Sequence, residues 1–324
     1  MTVLEIRCKE LTVRETAEFL KNHDNFIILT HASPDGDTIG SGYALMQILE
    51  QSGKKAAVVL SDYMPPKYDY MKRENTLDFE PQTVVAVDVA DTVLLDGDCK
   101  KYEKIDLCID HHPSNTHYAE NLYLEDKASA CCEAVYHLAR EMSAQITADI
   151  ANALYTGIAT DSGCFKFSSV SAETHRIAAE LIENGANHAE INRRMFETNS
   201  KERLAIEQAA LSTLSYHFGG RCAVMCITND MIKASHCVNE DLDGIASIPR
   251  TVEGVLVGVT IIEKKKGIFK ASFRTHQPAN AGEMAASLGG GGHFCAASCK
   301  MRGDIEEIKT RVLQTVESAL ENVR

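Results

Sequence analysis

The sequence lacks the features that mark several large classes of protein. It has no excess of positive charge, because 33 Lys and Arg against 46 Asp and Glu give a formal net charge of -13. A surface built to track long nucleic acid carries basic stripes, so this composition argues against such a track. The same composition is compatible with a short anionic substrate that is held by a few local cations. The chain also has no internal repeat and no low-complexity tract.

Segments that would direct the chain to a membrane are missing as well. The first residues, Met1–Arg7, contain no apolar signal region. The longest strongly apolar run, Val255 to Ile262, is far too short to span a bilayer. The eleven cysteines show neither zinc-type pairing nor a secretory disulfide framework. We therefore expect reduced thiols in a cytoplasmic protein without a membrane partner.

The length of 324 residues is enough for two domains, and the first half alternates strand-like and helix-like segments. Continuous apolar runs predict strands that are covered on both faces. The predicted strands are Phe26–Thr30, Lys55–Leu60, Thr83–Val87 and Ile105–Ile109, and the predicted helices are Gly40–Gln51, Ser129–Met142 and Ala148–Ala159. This alternation predicts an α/β fold, a doubly wound domain with a mainly parallel sheet.

A different composition begins near residue 190. A long amphipathic stretch, Glu197 to Leu214, predicts a connecting helix. Strand-like runs follow at Cys222–Thr228, Val252–Glu263 and Ile268–Thr275, and then a Gly-rich segment and a terminal helix. We predict a smaller α/β domain that closes over the first, with the active site in the cleft between them. The predicted boundaries are a domain at 1–190, a helical linker at 191–218 and a second domain at 219–324.

Asp and His residues gather where the predicted elements end. Because the carboxyl ends of parallel strands share one edge of a sheet, these side chains can converge although they are far apart in sequence. The candidate metal ligands are His31, Asp35, Asp37, Asp88, His111 and Asp161. Gly36 is predicted to let the backbone fold tightly between two of the Asp residues.

Four Asp and two His are too many ligands for one ion with an open position, but they suit two ions. Two divalent cations also cancel the charge of four carboxylates, which would otherwise repel one another. Imidazole and carboxylate together suit a borderline-hard ion such as Mn2+, with Mg2+ as the alternative. Each motif also has an ordinary explanation on its own as a turn, a loop or a surface histidine. Taken together at strand ends, the residues favour a two-metal hydrolase.

The combined motifs resemble the DHH phosphoesterases, named after a triplet that appears here as Asp110-His111-His112. In the C-terminal half, Ala271–Arg274 followed by Gly289–His293 looks like the DHH-associated domain. The basic Ser-Arg-Lys-Lys-Gln signature of manganese pyrophosphatases is not found in the sequence. Chain length and the run Thr156–Gly163 are similar to the stand-alone bacterial oligoribonuclease and pAp-phosphatase branch, the nanoRNases.

The resemblance implies a role for each site residue. One metal would be held mainly by His31, Asp35 and Asp88, and the other by Asp37, Asp88, His111 and Asp161, which makes Asp88 the bridge. Asp110 would orient the histidines. The residues expected at the substrate phosphate are His112, Arg274, Gly290, Gly291, Gly292 and His293. After His293 the branch pattern has Ala-Ala-Gly, whereas this chain has Ser298 in place of the glycine.

The activity implied by the resemblance is two-metal hydrolysis without a covalent intermediate. The expected substrates are very short RNA oligonucleotides, linear dinucleotides and pAp (adenosine 3′,5′-bisphosphate). Four alternatives are a manganese pyrophosphatase, a processive single-strand exonuclease, a cyclic or linear dinucleotide phosphodiesterase and a non-enzymatic nucleotide sensor. The exonuclease would need further nucleic-acid-binding domains, and the sensor would normally lack a ligand. A homodimer is compatible with the sequence, but no motif specifies one.

Overall fold

The structure is a computed structural model that describes residues 8–61, 63–73 and 77–321, without the side chain of Glu240. The segment Met1–Arg7, on which the expectation of no signal region depends, lies outside the described residues. In this described part of the chain, no helix is both long enough and apolar enough to cross a membrane. All eleven cysteines are free thiols.

The chain divides into two compact units, Met1–Thr198 and Asn199–Arg324. The predicted two-domain α/β organisation is confirmed. The division falls inside the segment 191–218 that the sequence suggests as a linker, and most of that segment is helical. The boundaries at 190 and 218 themselves stay predictions.

The first unit is built on a six-stranded sheet with the order β1-β6-β5-β4-β2-β3. Every strand pair in it is parallel. The strands are β1 (Lys9–Glu10), β2 (Phe26–Leu29), β3 (Ala56–Val59), β4 (Thr83–Val87), β5 (Leu107–Asp110) and β6 (Asn121–Leu124). β3 and β4 flank β2 on opposite sides, so the winding direction reverses between β2 and β4. Such a reversal opens a crevice outside the carboxyl ends of the two strands.

Both faces of this sheet are covered. The α-helices of the unit are α1 (Val13–Asn22), α2 (Gly36–Gln51), α3 (Cys131–Glu141), α4 (Ala148–Asp161), α5 (Ala172–Glu183) and α6 (His188–Asn192), and a π-helix, Arg193–Glu197, follows them. Phe26 and Ile28 of β2 belong to the large core that the helices complete. Ile27 and Leu29 face the other way, towards short 3-10 helices around Leu95 and Cys99. This two-sided burial explains the continuous apolar runs.

The predicted start of the helix at Gly40 is wrong, because α2 begins four residues earlier at Gly36. Asp35 is the N-cap, and its Oδ1 accepts the N–H groups of Asp37 at 3.0 Å and Thr38 at 3.2 Å. These bonds satisfy two amides that the first helical turn leaves without partners. The cap therefore lies within the candidate metal-binding motif itself.

The second unit contains a mostly antiparallel sheet with the order β11-β12-β10-β9-β8-β7, in which only β8 and β9 are parallel. The strands are β7 (Ser215–His217), β8 (Cys222–Ile227), β9 (Val257–Lys265), β10 (Ile268–Thr275), β11 (Gly291–Gly292) and β12 (Ala296–Arg302). The helices are α7 (Lys201–Leu211), α8 (Asn229–Ser235), α9 (Ala281–Ser287) and α10 (Ile305–Glu321). The strand expected at Val252–Glu263 begins only at Val257, because a 3-10 helix, Ile245–Thr251, and a turn precede it.

Two cores lie on the two faces of the second sheet. On one face, Phe273 of β10 packs with residues of α9 and α10 such as Met284 and Val312. On the other face, Ile206 of α7 and Ile245 form a smaller core with residues of β8 and β9. The second core includes no residue of β10 or β12.

Candidate metal centre

Three of the predicted ligand segments meet at the reversal point of the first sheet. His31 lies two residues beyond β2, Asp88 follows β4 directly, and Asp110 is the last residue of β5. β4 pairs with both β2 and β5, so these three strand ends are adjacent. Asp88 has a φ of +59° and donates its N–H to the carbonyl of Ile109 at 2.9 Å. A left-handed Asp at this point is a strained conformation of the kind that accumulates at functional sites.

Two helices supply the remaining carboxylates. Asp35 and Asp37 lie at the N-terminus of α2, and Asp161 is the last residue of α4. A Cβ on Gly36 would lie 2.3 Å from Oγ1 of Thr160, so the glycine permits close approach of these two helices. The expected reason for Gly36, a tight backbone turn, is wrong, since Gly36 is the first helical residue and has no positive φ.

The carboxylate of Asp88 lies between two histidines. Its Oδ2 is 3.4 Å from Nε2 of His31, and its Oδ1 is 3.5 Å from Nε2 of His111. On the first side, Nε2 of His31 is also 3.6 Å from Oδ1 of Asp35. One ligand atom each from His31, Asp35 and Asp88 lie within 4.8 Å of one another.

The second side is formed around His111. Its Nε2 is 3.7 Å from Oδ2 of Asp37 and 3.5 Å from Oδ2 of Asp161. Asp37, His111 and Asp161 also place their ligand atoms within 4.8 Å of one another. The structure thus brings all six predicted ligands together in two groups that meet at Asp88.

Two atoms at the centre of this cluster have no hydrogen-bond partner. Oδ1 of Asp88 and Nε2 of His111 are buried, and no partner for them occurs among the described residues. Buried polar atoms are almost always satisfied by a donor, an acceptor or an ion. Carboxylate oxygens and imidazole nitrogens are ligands for divalent cations. The donor set and the unsatisfied atoms therefore fit a metal site.

Backbone carbonyls orient the two ligand imidazoles. Nδ1 of His31 lies 2.9 Å from the carbonyl oxygen of Ala32, and Nδ1 of His111 lies 3.2 Å from that of Ala128. If each Nδ1 carries the proton, Nε2 keeps a lone pair directed at the carboxylates. The ring of His111 is held by the carbonyl of Ala128, and Asp110 contacts this residue through its backbone N–H, so the expected role of Asp110 in orienting the histidines stays a prediction.

Asp110 instead holds the ring of His112. Oδ1 of the fully buried Asp110 lies 2.8 Å from Nδ1 of His112, and it also accepts the N–H of His111 at 2.8 Å. Oδ2 accepts a hydrogen bond of 2.6 Å from the amide of Asn115. The ring of His112 is thereby fixed, and its side chain is about one third exposed (32%).

The clustered charges shift the pKa values of the ligands. Burial alone would lower the pKa of both imidazoles, yet the adjacent carboxylates raise the pKa of His31 to about 11 and that of His111 to about 10. Burial and the charges of Asp88 and Asp161 raise the pKa of Asp37 well above its usual value. Burial, opposed by His111 and aided by Asp88, raises the pKa of Asp161 to about 6. In the absence of a metal ion, protonation of these side chains therefore reduces the net negative charge of the cluster.

Sequence reasoning missed several groups that support the ligands through the backbone. The N–H groups of Cys131 and Cys132, in the first turn of α3, donate to the two oxygens of Asp37 at 2.6 and 2.9 Å. The helix N-terminus thus stabilises this carboxylate. Any residue can supply a backbone N–H donor, so the sequence does not indicate these two hydrogen bonds. Only the predicted start of a helix at Ser129 pointed to this part of the chain.

Apart from His112, the predicted substrate-binding residues lie in the second unit. Arg274 is on β10, with its Cα paired to those of Gly258 and Ala296. The N–H of Gly290 donates to the carbonyl of Ala285 at 2.8 Å, so it closes the end of α9 and does not point at an anion. Gly291 and Gly292 form β11 and pair with β12. His293 follows them and is exposed. The glycine run is therefore part strand and not an open nest.

Several comparisons with known proteins bear on this site. The family model "DHH family, N-terminal domain" matches residues 25–158, and the model "DHHA1 domain" matches residues 219–322. The bifunctional oligoribonuclease and PAP phosphatase NrnA of Thermus thermophilus is 33% identical over 316 residues, which cover 95% of this chain and 94% of the relative. The protein of the same name from Bacillus subtilis is 23% identical over 86% of this chain and 90% of its own length.

A solved structure agrees with the fold over nearly the whole chain. The crystal structure of an exopolyphosphatase-related protein from Bacteroides fragilis has a TM-score of 0.85 at 24% sequence identity. The match covers 96% of this chain and 95% of the other. At this level of identity the likeness concerns the fold alone.

Proposed function

The chain belongs to the DHH family of phosphoesterases, and on that premise we propose that it hydrolyses short nucleotides with two bound divalent cations. The proposed reactions are degradation of very short RNA oligonucleotides, including linear dinucleotides, to mononucleotides, and removal of the 3′-phosphate of pAp to give AMP. Support comes from the names of the relatives, which are oligoribonucleases and PAP phosphatases that align over most of both chains.

The observation that carries the proposal is the position of Asp88 between His31 and His111. A carboxylate that offers one oxygen to each of two ligand groups suits a bridge between two ions. We assign His31, Asp35 and Asp88 to one ion, and Asp37, Asp88, His111 and Asp161 to the other. When bound, two such ions activate a water molecule and stabilise charge on the phosphoryl oxygens. One imidazole in each group favours Mn2+ over Mg2+.

His112 is the proposed general acid and phosphate ligand of the first unit. Asp110 holds Nδ1 of this ring, so Nε2 remains available for the substrate. A protonated imidazole held by a carboxylate can neutralise an oxygen of the phosphate and donate a proton to the leaving oxygen. The neighbouring histidines therefore have different proposed roles, because His111 binds metal and His112 contacts substrate.

Arg274 and His293 are the proposed phosphate ligands of the second unit. The guanidinium of Arg274 offers paired donors that match phosphate oxygens. Burial, aided by the charge of Arg250, lowers the pKa of this guanidinium, and among the described residues no carboxylate forms an ion pair with it. Gly290, Gly291 and Gly292 contribute less than a nest would. A Cβ on Gly290 or Gly292 would meet β12, whereas nothing lies near a Cβ on Gly291, so the proposed close approach of the backbone to the substrate is at Gly291.

We also propose that the protein works in the cytoplasm, since a reducing compartment suits its eleven free cysteines. The domains assigned to these roles remain those proposed from sequence, 1–190 for catalysis and 219–324 for substrate binding, with 191–218 as the linker.

The test is product formation with Mn2+ from three substrates side by side: pAp, a 5′-phosphorylated diribonucleotide and pyrophosphate. We expect turnover of the first two and none of pyrophosphate. Hydrolysis of pyrophosphate alone would contradict the proposed substrate class while leaving the metal site in place. Binding of Mn2+ without turnover of any of the three would contradict the enzymatic assignment and favour a sensor.

A further inference from the structure

Asn115 occupies a buried position close to the proposed general acid, and the proposed function gives this residue no role. Its side chain is only 6% exposed. Its backbone N–H donates to the carbonyl of His112 at 3.0 Å, which closes a turn of four residues. Pro113 stands at the second position of this turn, where its fixed φ is favourable. Asn115 is therefore held directly to the backbone of His112.

The side-chain amide of Asn115 donates to the carboxylate that holds the ring of His112. Its Nδ2 lies 2.6 Å from Oδ2 of Asp110, and within the described part of the chain no other donor reaches that oxygen. The other oxygen of Asp110, Oδ1, lies 2.8 Å from Nδ1 of His112. The terminal torsion of an aspartate is broad, so a carboxylate without a partner on one oxygen can rotate. The amide of Asn115 therefore fixes the plane in which Asp110 meets the imidazole.

A backbone donor determines which way the amide of Asn115 points. Its Oδ1 accepts the N–H of His117 at 2.8 Å, and a backbone N–H can only donate. The oxygen of the amide must therefore face His117, which leaves Nδ2 for Asp110. An aspartate at position 115 would keep the acceptor for His117 but would lose the donor to Asp110.

Asn115 also connects the ring of His112 to the segment that follows the proposed metal bridge. Nδ2 of Asn115 lies 3.4 Å from the carbonyl oxygen of Val89, and the next residue in the chain donates its N–H to the carbonyl of Ala90 at 2.9 Å. Val89 and Ala90 directly follow Asp88. Nδ1 of His112 lies 3.5 Å from Oδ1 of Asp88. These contacts hold the imidazole at a set distance from the bridging carboxylate.

We infer that Asn115 is a positioning residue of the reaction, which acts on the substrate through Asp110 and His112. This inference rests on the proposed function, in which His112 meets the scissile phosphate. By holding Asp110 in one plane, the amide of Asn115 keeps Nε2 of His112 directed at the leaving oxygen. Proton transfer depends on the alignment of the acid as well as on its presence, so a loosely held ring transfers its proton more slowly.

The test removes the donor and keeps the acceptor in the variant Asn115→Asp. The matched control is Asn121→Asp, because Asn121 begins β6 at the opposite edge of the sheet and donates from its Nδ2 to the carbonyl of Asp106 at 2.9 Å. With Mn2+ and pAp, we expect kcat of Asn115→Asp to fall about tenfold while KM changes by less than about twofold. Both constants of the control should stay within about twofold of the unmodified protein. Equal kcat values for the two variants would overturn the inference.

A double variant separates positioning from a purely structural role. If Asn115 acts through the ring of His112, its substitution has little effect once the ring is absent. We therefore expect kcat of Asn115→Asp/His112→Gln to lie within about twofold of kcat of His112→Gln alone. A further loss of about tenfold in the double variant would show that Asn115 acts independently of His112 and would overturn the inference.

A spectroscopic readout decides the inference without turnover. The protein is prepared with isotope-labelled histidine and loaded with Mg2+, which does not broaden the NMR signals. The hydrogen-bonded Nδ1 proton of His112 is identified as the signal that disappears in His112→Gln. We expect this proton to exchange with water faster in Asn115→Asp and at an unchanged rate in Asn121→Asp. An unchanged rate in Asn115→Asp would overturn the inference.

The same readout distinguishes failure of the inference from failure of the proposed function. If the unmodified protein hydrolyses neither pAp nor the dinucleotide, the proposed function fails, and the exchange rate still decides whether Asn115 holds the ring. If Asn115→Asp does not fold, Asn115→Ala removes the same donor without adding a charge and should change kcat and proton exchange in the same directions. Metal content after gel filtration should stay at the unmodified level, and loss of metal from the Asn115 variants would overturn the assignment to His112.

Discussion

Oδ1 of Asp88 lies 3.5 Å from Nε2 of His111, and both atoms are buried without a hydrogen-bond partner among the described residues. A buried charge is costly unless it is paired or coordinated. The other oxygen of Asp88 faces His31 in the same way. A cation on each side of this carboxylate would satisfy both nitrogens and both oxygens. This bridging position is the central claim of the account.

Asp88→Asn should lower kcat/KM for pAp by about 10³-fold or more, because both ions lose a charged ligand. The measurement is a steady-state assay at saturating Mn2+, with circular dichroism to confirm folding. Asp98→Asn is the matched control, since Asp98 is 72% exposed and, within the described part of the chain, forms an ion pair with Lys101 alone. The control should keep activity within about twofold. Activity of Asp88→Asn at the level of the control would contradict the bridge.

Metal binding should release protons, and the affinity for Mn2+ should rise with pH. In the metal-free protein the pKa of His31 is about 11 and that of His111 is about 10, so both imidazoles are protonated at pH 7. A ligand nitrogen must lose its proton to bind a cation, and the competition from protons weakens as pH rises towards these values. Asp161, with a pKa of about 6, adds to the effect in the same direction below that pH.

The number of protons released is measured by calorimetric titration of Mn2+ at pH 7 in two buffers with different ionisation enthalpies. We expect a net release of at least one proton per chain. Identical apparent enthalpies in the two buffers, or an affinity that falls between pH 6 and pH 8, would show that the histidines do not exchange protons for metal.

His112→Gln should lower kcat by about 10²-fold while both ions remain bound, because His112 contacts substrate and not metal in this account. Metal content after gel filtration separates this variant from His111→Gln, which should lose metal. Asp110→Asn should lower kcat in the same direction as His112→Gln, since it removes the charged partner of the ring. Loss of metal in His112→Gln would instead place His112 among the ligands.

Gly36→Ala should destabilise the protein, whereas Gly42→Ala on the same helix should not. A Cβ at position 36 would meet Oγ1 of Thr160 at 2.3 Å, but one at position 42 makes only ordinary contacts of 3.4 Å or more. Overpacking of this kind costs about 1–3 kcal/mol of unfolding free energy. Alanine is favoured over glycine within a helix by up to about 1 kcal/mol, and the buried Gly42 has ordinary contact space for a methyl group, so Gly42→Ala should be neutral or slightly stabilising. Urea denaturation measures both, and equal midpoints would refute the close approach of α2 and α4.

The convergence of the candidate ligands His31, Asp88 and His111 was predictable because it follows from strand order. His31 and Asp88 stand just after apolar runs, and parallel strands that are neighbours in the sheet bring such residues together. The start of α2 was not predicted, because Asp35 serves as both cap and candidate ligand. When Asp35 is interpreted only as a metal ligand, its role as the N-cap of the helix is overlooked.

Other features could not be predicted because they depend on tertiary contacts that leave no local pattern. The amides of Cys131 and Cys132 stabilise Asp37 across more than ninety positions of sequence. The carbonyl of Ala128 orients His111, and any residue at that position could supply such a carbonyl. Lys270 and Lys300 are likewise neighbours only through the pairing of β10 with β12.

The most direct test of the central claim is a crystal structure of the protein soaked in Mn2+, with anomalous scattering used to locate the ions. The account predicts two anomalous peaks on opposite sides of the Asp88 carboxylate. One should be bound by His31 and Asp35, and the other by Asp37, His111 and Asp161. A single peak that does not touch Asp88, or no peak at these residues, would contradict it.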